Sequence, residues 1–481
     1  MGNELYQWRK ENLDSISPSF CAAKWYNTSI HLGSGETMSC HLPLPHMIEA
    51  TEDELRWNPS LIHNTDHKKK MRKLMLDGHR PHECDYCWKV EDIGRENVSD
   101  RVFKSMIYSI DDIKKIPTRP HTDDIIPKTM EISFDRICQF SCSYCNAGYS
   151  TAWAQEMKTH GPYQKMKSDG RGAYHHDGSW ADPYGKFNQG NPYVEAFFRW
   201  WPTLRTELQE IRITGGEATM SHNFWRFMEM LANESNPNLR IAVNSNLGMK
   251  PELLQKLVEY THKIDVKEFD LYTSNESFGE HAGFIRQGLE YKQWRENLLY
   301  FIQNARHRAV TIMMTITSLS LFSITEFMDD MIELKNEYGN NKPMLDLNIL
   351  RWPSFMSPLA FPDHLKDLTR EKLKAWYESK KDQKLSAKAH NFPVLGVGER
   401  SQIERLIDYI EVVDLPHRRV SEDKSLLWHD FKSFYEQYAR RNGKDLRTTF
   451  PKELVDWYDS IQIDDSIPEV TLGDGTPQHH S

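Results

Sequence analysis

The chain is predicted to be an α/β protein: a partial, TIM-like (β/α)6 barrel with a small α+β region before it and a helical extension after it. Three observations predict this. Six strand-like runs alternate with helical segments between about residues 128 and 352. Roughly the first 110 residues carry four of the seven cysteines among short, mixed elements. Beyond 352 the strand signal fades and the remaining segments are helical.

At 481 residues the chain exceeds one hydrophobic core and has room for two or three domains, read here as 1–115, 125–352 and 353–481. The polar, proline-bearing run from Pro117 through Pro120 to Asp124 reads as a linker. The barrel strands are Met130–Phe134, Glu210–Thr214, Arg240–Ser245, Glu268–Thr273, Val310–Thr317 and Leu345–Leu350. Helices are expected at Asn223–Leu231, Pro251–Tyr260, Gln293–Asn304 and Ile324–Leu334, as crossovers between parallel strands. In such a barrel the chemistry sits at the C-terminal ends of the strands. Segments 364–384, 400–411, 424–441 and 452–460 make up the helical extension.

Bulk properties exclude some classes. Acidic residues outnumber basic ones, 69 to 60, for a net charge of −9, so a nucleic-acid partner, which wants a basic face, is not expected. No stretch approaches the roughly 20 apolar residues of a membrane span, so no membrane partner is expected. The polar N-terminus lacks the apolar core of a signal peptide, and Tyr6 stands where a myristoylation start wants Ser or Thr. A cytoplasmic location is expected. Seven cysteines are an odd number for a disulfide framework, and their close spacing points to metal.

Directly after the first barrel strand comes Cys138-Gln-Phe-Ser-Cys142-Ser-Tyr-Cys145, a C-x3-C-x2-C loop. Three thiolates on one tight loop can hold three irons of a 4Fe–4S cube and leave the fourth iron open. A zinc site would need a fourth ligand, and no His lies nearby. The second strand ends in Thr214-Gly215-Gly216-Glu217. Glycines there permit close backbone approach, and a carboxylate can pair with an ammonium group. The two motifs, one strand apart, resemble those of radical S-adenosylmethionine (SAM) enzymes. That resemblance implies a SAM-binding 4Fe–4S cluster on Cys138, Cys142 and Cys145, with Tyr144 the usual aromatic before the last cysteine. It implies Gly215, Gly216 and Glu217 at the amino group of SAM. Asn244, Ser274, Asn275 and Arg286, at or beyond the ends of the third and fourth strands, are further expected contacts. Each is equally readable as an ordinary polar strand end.

The other cysteines are Cys21, Cys40, Cys84 and Cys87. Cys21 and Cys40 are spaced C-x13-G-x4-C around Gly35, and Cys84-Asp-Tyr-Cys87 adds C-x2-C. This resembles the first half of the SPASM pattern, the half-length version being a twitch domain. In that resemblance the four cysteines bind one auxiliary 4Fe–4S cluster; zinc suits four cysteines too. Twitch domains usually follow the barrel, whereas here the motif precedes it. The run from Thr28 to Cys40 reads as a hairpin turning at Gly33–Gly35, which would bring Cys21 and Cys40 together. The segment Phe431–Gly443 with Phe450-Pro451 is similar to segments of such proteins from phages and environmental bacteria.

The 69 residues between Cys145 and Gly215 are long for a connection. Region 146–205 holds Trp153, Tyr163, Tyr174, His175, His176, Trp180, Tyr184 and Phe187, and reads as a lid over the barrel mouth or as an insertion packed on the barrel. In the lid reading Arg171 meets an anionic substrate group. His175 and His176 are read as decorating this loop rather than binding metal.

The expected activity is reductive cleavage of SAM to a 5′-deoxyadenosyl radical that takes hydrogen from a substrate. A reductant such as flavodoxin or ferredoxin supplies the electron, and the auxiliary cluster takes one back. Oxidation, cross-linking or epimerisation of a peptide, or dehydrogenation of a small molecule, would all fit. The competing class is a non-catalytic iron–sulfur or zinc scaffold that binds a partner protein. No residue is assigned as catalytic.

Overall fold

The computed structural model describes residues 2–94, 96–181, 183–184, 190–307, 309–339, 342–411 and 423–473. Its strands are β1 (Asn27–His31), β2 (Glu36–Met38), β3 (His46–Met47), β4 (Thr129–Ser133), β5 (Ser141–Cys142), β6 (Glu210–Thr214), β7 (Ser235–Ser245), β8 (Asp265–Ser274), β9 (Arg286–Gln287), β10 (Ala309–Ile316) and β11 (Met344–Ile349). Strands β4, β6, β7, β8, β10 and β11 are the six expected ones, and neighbours among them pair in parallel. Strict alternation of buried and half-buried residues along β4, β6 and β10 reflects a sheet with helices on its outer face. Crossovers such as Pro251–Lys263 and Tyr291–Asn304 start at or near the expected positions.

The sheet is one stretch of nine strands in the order β11-β10-β8-β7-β6-β4-β1-β2-β3. The Cys21–Cys40 hairpin therefore does not stand apart. Strand β1 pairs in parallel with β4, from Asn27 opposite Thr129 to His31 opposite Ser133, and so places His31 at the C-terminal end of the parallel strands. The turn falls at residues 32–35, and β2 returns antiparallel.

At the other edge the helix Val397–Glu411 lies along β11. Glu399 accepts from the Leu345 N–H at 2.8 Å and Gln402 from the Leu347 N–H at 2.9 Å. Glu399 also pairs with the buried Lys335 at 2.5 Å. These side chains satisfy the exposed ladder and stop further pairing.

Two hydrophobic cores result. One joins the barrel, region 146–205 and the helical extension. The other, in the N-terminal region, gathers Phe20, Trp25, Trp88, Val102 and Tyr108 with Cys21, Cys84 and Cys87.

Region 146–205 sends three aromatic side chains into the core. Trp153, Tyr163 and Tyr174 are fully buried. Tyr163 and Tyr174 each lie 4.7 Å, centroid to centroid, from Phe434 of the helix Lys424–Arg441. Their apolar area drives them inward; the Tyr163 hydroxyl donates to Glu156, and other polar tips nearby find backbone carbonyls of the cysteine loop. Trp153 Nε1 donates to Cys142 O at 2.9 Å, Tyr174 Oη to Ser143 O at 2.8 Å, and Tyr438 Oη to Ser141 O at 2.8 Å. The insertion and the extension together buttress the cysteine loop from outside. Arg171 is exposed and donates to the carbonyls of Lys167 and Ser168. His175 bonds Tyr163 O, and His176 accepts from the Gly178 N–H. Trp180 and Tyr184 stay partly exposed, and Phe187 lies outside the described residues. Among the described residues no helix is long and apolar enough to cross a membrane.

Candidate functional site

The cysteine loop leaves β4 through Asp135, whose carboxylate accepts from the Ile137 N–H at 3.0 Å and the Ser221 hydroxyl at 2.5 Å. This fixes the turn that presents Cys138. The Cys138 thiol accepts from the Phe140 N–H at 3.4 Å and is approached by Asn246 Nδ2 at 3.7 Å. Cys142 sits on β5, which pairs with β9 so that it faces Arg286. The Cys145 N–H closes the loop onto Cys142 O at 2.9 Å. All three thiols are free. Burial, aided by the neighbouring Cys142, pushes Cys138 up to about 12. Burial likewise pushes up Cys142, and pushes up Cys145 with both other thiols as further causes. Buried thiols crowded together resist ionisation and need a cationic group to become thiolates.

The Gly215-Gly216-Glu217 strand end docks against this loop. A Cβ on Gly216 would stand 2.4 Å from Ile137 O, and one on Gly215, at φ +123°, 2.7 Å from Asp135 O. Both glycines are thus demanded by the backbone that delivers Cys138. The Glu217 N–H donates to Ile137 O at 2.6 Å. The Glu217 carboxylate is buried and accepts from the Asn246 N–H at 2.6 Å, the Thr219 hydroxyl at 2.6 Å and the Ser245 hydroxyl at 2.8 Å. It ties the ends of β6 and β7 together beside Cys138. Burial raises its pKa, while these hydrogen bonds pull it back.

The other expected contacts separate into two groups. Asn244 and Asn275 each end in a buried polar atom without a partner among the described residues, Asn244 Oδ1 and Asn275 Nδ2, whereas the Tyr144 hydroxyl lies against Glu276 and Thr315. Unpaired buried polar atoms are rare and costly, and two at strand ends beside one cysteine loop fit a polar ligand such as SAM. Ser274 is half-buried at the end of β8. Arg286 is spent elsewhere: its guanidinium holds the fully buried Glu276 at 2.6 Å and reaches the Cys142 thiol at 3.9 Å. Tyr144 lies against it, 5.3 Å from ring centroid to guanidinium. Glu276 had no signal in the sequence beyond a polar run at a strand end, whereas Asn246 belongs to the Asn244-Ser245-Asn246 run expected at the end of the third strand.

Cys21, Cys40, Cys84 and Cys87 line one pocket of about 390 Å³ in the N-terminal core. Burial pushes Cys84 and Cys87 up to about 12. Beside this pocket sit two buried cations that the sequence did not flag. Lys68 is 1% exposed; its Nζ donates to the hydroxyls of Thr28 at 2.8 Å and Thr37 at 2.7 Å, next to the strands that carry Cys40 into place. Arg72 is 0% exposed and donates to Lys24 O and Asn64 Oδ1, each at 3.0 Å. Neither forms an ion pair among the described residues. Burial drives Lys68 well below its usual pKa, with Arg72 and Lys24 adding to the effect. The buried Lys68, which feels the Cys40 thiol, fits an anionic occupant nearby, and a four-iron cube on four thiolates carries net negative charge; Arg72 has Asp124 as a counter-charge. Among the described residues no three His, Cys, Asp or Glu side chains are placed to hold a single metal ion.

A sign reversal tests this. Lys68→Met is expected to stabilise the metal-free protein by about 1–4 kcal/mol, because it removes an unpaired buried charge. In iron-loaded protein the gain should vanish or reverse. Denaturant unfolding of both forms measures it, and equal effects in the two would show that Lys68 senses no bound anion.

Residues 132–331 match the family described as the Radical SAM superfamily, a span that runs from within β4 into the helix Ile324–Tyr338. No curated protein matches the chain. The crystal structure of Streptococcus suis SuiB bound to S-adenosylmethionine aligns with 67% of this chain and 70% of that one, at 11% identity and a TM-score of 0.34, too remote a likeness to build on. The matched stretch, Ile132 to Met331, holds both the cysteine loop and the Gly215-Gly216-Glu217 strand end.

Proposed function

We propose that the protein is a radical SAM enzyme with an auxiliary 4Fe–4S cluster, acting oxidatively on a peptide or small molecule. The observation that carries this reading is the joint of two motifs: three free, crowded thiols on one loop, docked backbone to backbone on Gly215 and Gly216. Cys138, Cys142 and Cys145 would hold three irons of the first cluster. When bound, that cluster supplies the electron that splits SAM into methionine and a 5′-deoxyadenosyl radical, the species that takes hydrogen from substrate. Glu217 fixes the strand ends beside it and is the carboxylate nearest to hand for the ammonium of SAM. Asn244 and Asn275 offer the unpaired polar atoms. Arg286 and Glu276 hold the Cys142 side of the loop in place.

Cys21, Cys40, Cys84 and Cys87 would hold the auxiliary cluster, fully ligated and suited to taking an electron from the product. A flavodoxin or ferredoxin would supply the first electron. A free-standing scaffold is disfavoured, since the helix Lys424–Arg441 is packed into the cysteine loop rather than left open for a partner.

Iron content tests the proposal. Anaerobically reconstituted protein is expected to hold about eight irons, four per cluster. The Cys138/Cys142/Cys145→Ala triple variant should keep about four and lose SAM cleavage. Wild-type protein with about four irons and one zinc would overturn the auxiliary-cluster assignment.

A further inference from the structure

A second cavity, of about 330 Å³, opens at the catalytic end of the sheet. Its walls come from four places: His31 and Glu36 of the hairpin between Cys21 and Cys40, Asp135 before Cys138, Tyr149 and Trp180 from the insertion, and Gly215. It therefore touches both motif loops of the Radical SAM domain and the hairpin that ends in Cys40. Tyr149 stands close enough to feel both the Glu36 carboxylate and the Cys145 thiol.

Glu36 is the unusual group. It is 7% exposed, and among the described residues its carboxylate meets one hydroxyl, Ser34 Oγ at 2.7 Å, and no cation. A buried carboxylate with so little compensation is costly, and proteins pair or neutralise such groups. The other acid in the wall is satisfied: Asp135 takes the Ile137 N–H and the Ser221 hydroxyl. The cation in the wall faces other acceptors: Arg136 donates to the carbonyl oxygens of Ala147 and Asp177. Glu36 is thus the charge left over, and Tyr149 and Trp180 offer aromatic faces that suit an ammonium group.

We propose that this cavity is the substrate pocket and that Glu36 binds a cationic amine of the substrate. The inference rests on the radical SAM reading above and adds the substrate's chemical class to it. Placed there, an amine-bearing group lies between the loop carrying Cys138 to Cys145 and the hairpin of the auxiliary site. Hydrogen removal and electron uptake then act on one bound molecule.

Calorimetry on reconstituted protein with SAM, using butylamine, butan-1-ol and butanoate as probes, tests the proposal. Butylamine is expected to bind at least tenfold tighter than butan-1-ol, and the preference should disappear in Glu36→Gln at unchanged melting temperature. Equal binding of amine and alcohol overturns the proposal. So does tighter binding of butanoate, which would assign the pocket to Arg136. Trp180→Phe locates the site independently of Glu36: it should remove the butylamine-induced change in tryptophan emission, and an unchanged response overturns the placement. Agmatine and a capped lysine peptide then separate a free amine from a peptide-borne one, and failure of both to bind counts against the proposal. Cleavage of SAM by dithionite-reduced protein is measured separately. Its absence, with amine binding intact, would sink the enzyme reading and leave the cation site standing.

Discussion

Gly216→Ala is expected to disable SAM cleavage at least a hundredfold and to lower the melting temperature at the same time. The added methyl would stand 2.4 Å from Ile137 O and 2.6 Å from Arg136 O. Both are main-chain atoms, so neither can swing aside as the tip of a long side chain would. Overpacking of this kind costs about 1–3 kcal/mol, and relief requires the two backbones to part. The backbone that moves is the one leading into Cys138, and the bond at the junction, Glu217 N–H to Ile137 O at 2.6 Å, goes with it. A shift of about 1 Å in a positioned group can cost a hundredfold in rate. Reconstituted iron and 5′-deoxyadenosine formation measure the outcome. Glu217→Gln serves as the control: it keeps the side-chain shape and the backbone junction, so its iron content should stay at the wild-type level. Wild-type cleavage by Gly216→Ala would show that the two loops are joined by something other than this contact.

The two motifs were legible because their chemistry demands fixed spacing. Thiols at C-x3-C-x2-C and a Gly-Gly-Glu at a strand end survive as short local patterns, and the alternation of strands and helices around them set the parallel order. What Gly215 and Gly216 do was less legible: spacing shows that small residues are needed there, and only the fold shows that Asp135, Arg136 and Ile137 are what they make room for. The pairing of β1 with β4 was hidden for a related reason. It joins residues about a hundred positions apart, and nothing local in Asn27–His31 names its partner. Lys68, Arg72 and Glu36 escaped because a charged residue in a sequence reads as a solvated one. Their significance lies in burial, a property of packing. The aromatic run of region 146–205 looked like a lid for the mirror-image reason: Trp153, Tyr163 and Tyr174 sit among polar residues, and their burial depends on Phe434 and Tyr438, far along the chain.

Cys87→Ala is expected to separate the two clusters. Cys87 is 6% exposed and packs in the N-terminal core, away from the barrel core that holds the Cys138 loop. Iron should fall from about eight to about four per chain, because a cube deprived of one of four thiolates is poorly held. SAM cleavage should survive within about twofold, since Cys138, Cys142, Cys145 and Glu217 are untouched. Stability should suffer more than a lost sulfur atom explains. With the anionic cluster gone, Lys68 is left without a counter-charge inside the core, and an unpaired buried charge costs about 3–5 kcal/mol. The double variant Cys87→Ala/Lys68→Met isolates that cause. If the cluster compensates Lys68, the second substitution should recover part of the loss, with a coupling of about 0.5–3 kcal/mol between the two sites. Strict additivity of the unfolding free energies would mean that Lys68 and the four-cysteine pocket are electrostatically independent. A Cys87→Ala protein that keeps eight irons would remove Cys87 from the ligand set. Loss of SAM cleavage in a folded Cys87→Ala protein with four irons would show that the auxiliary site supports the first cluster directly, through the strand that β1 adds beside β4.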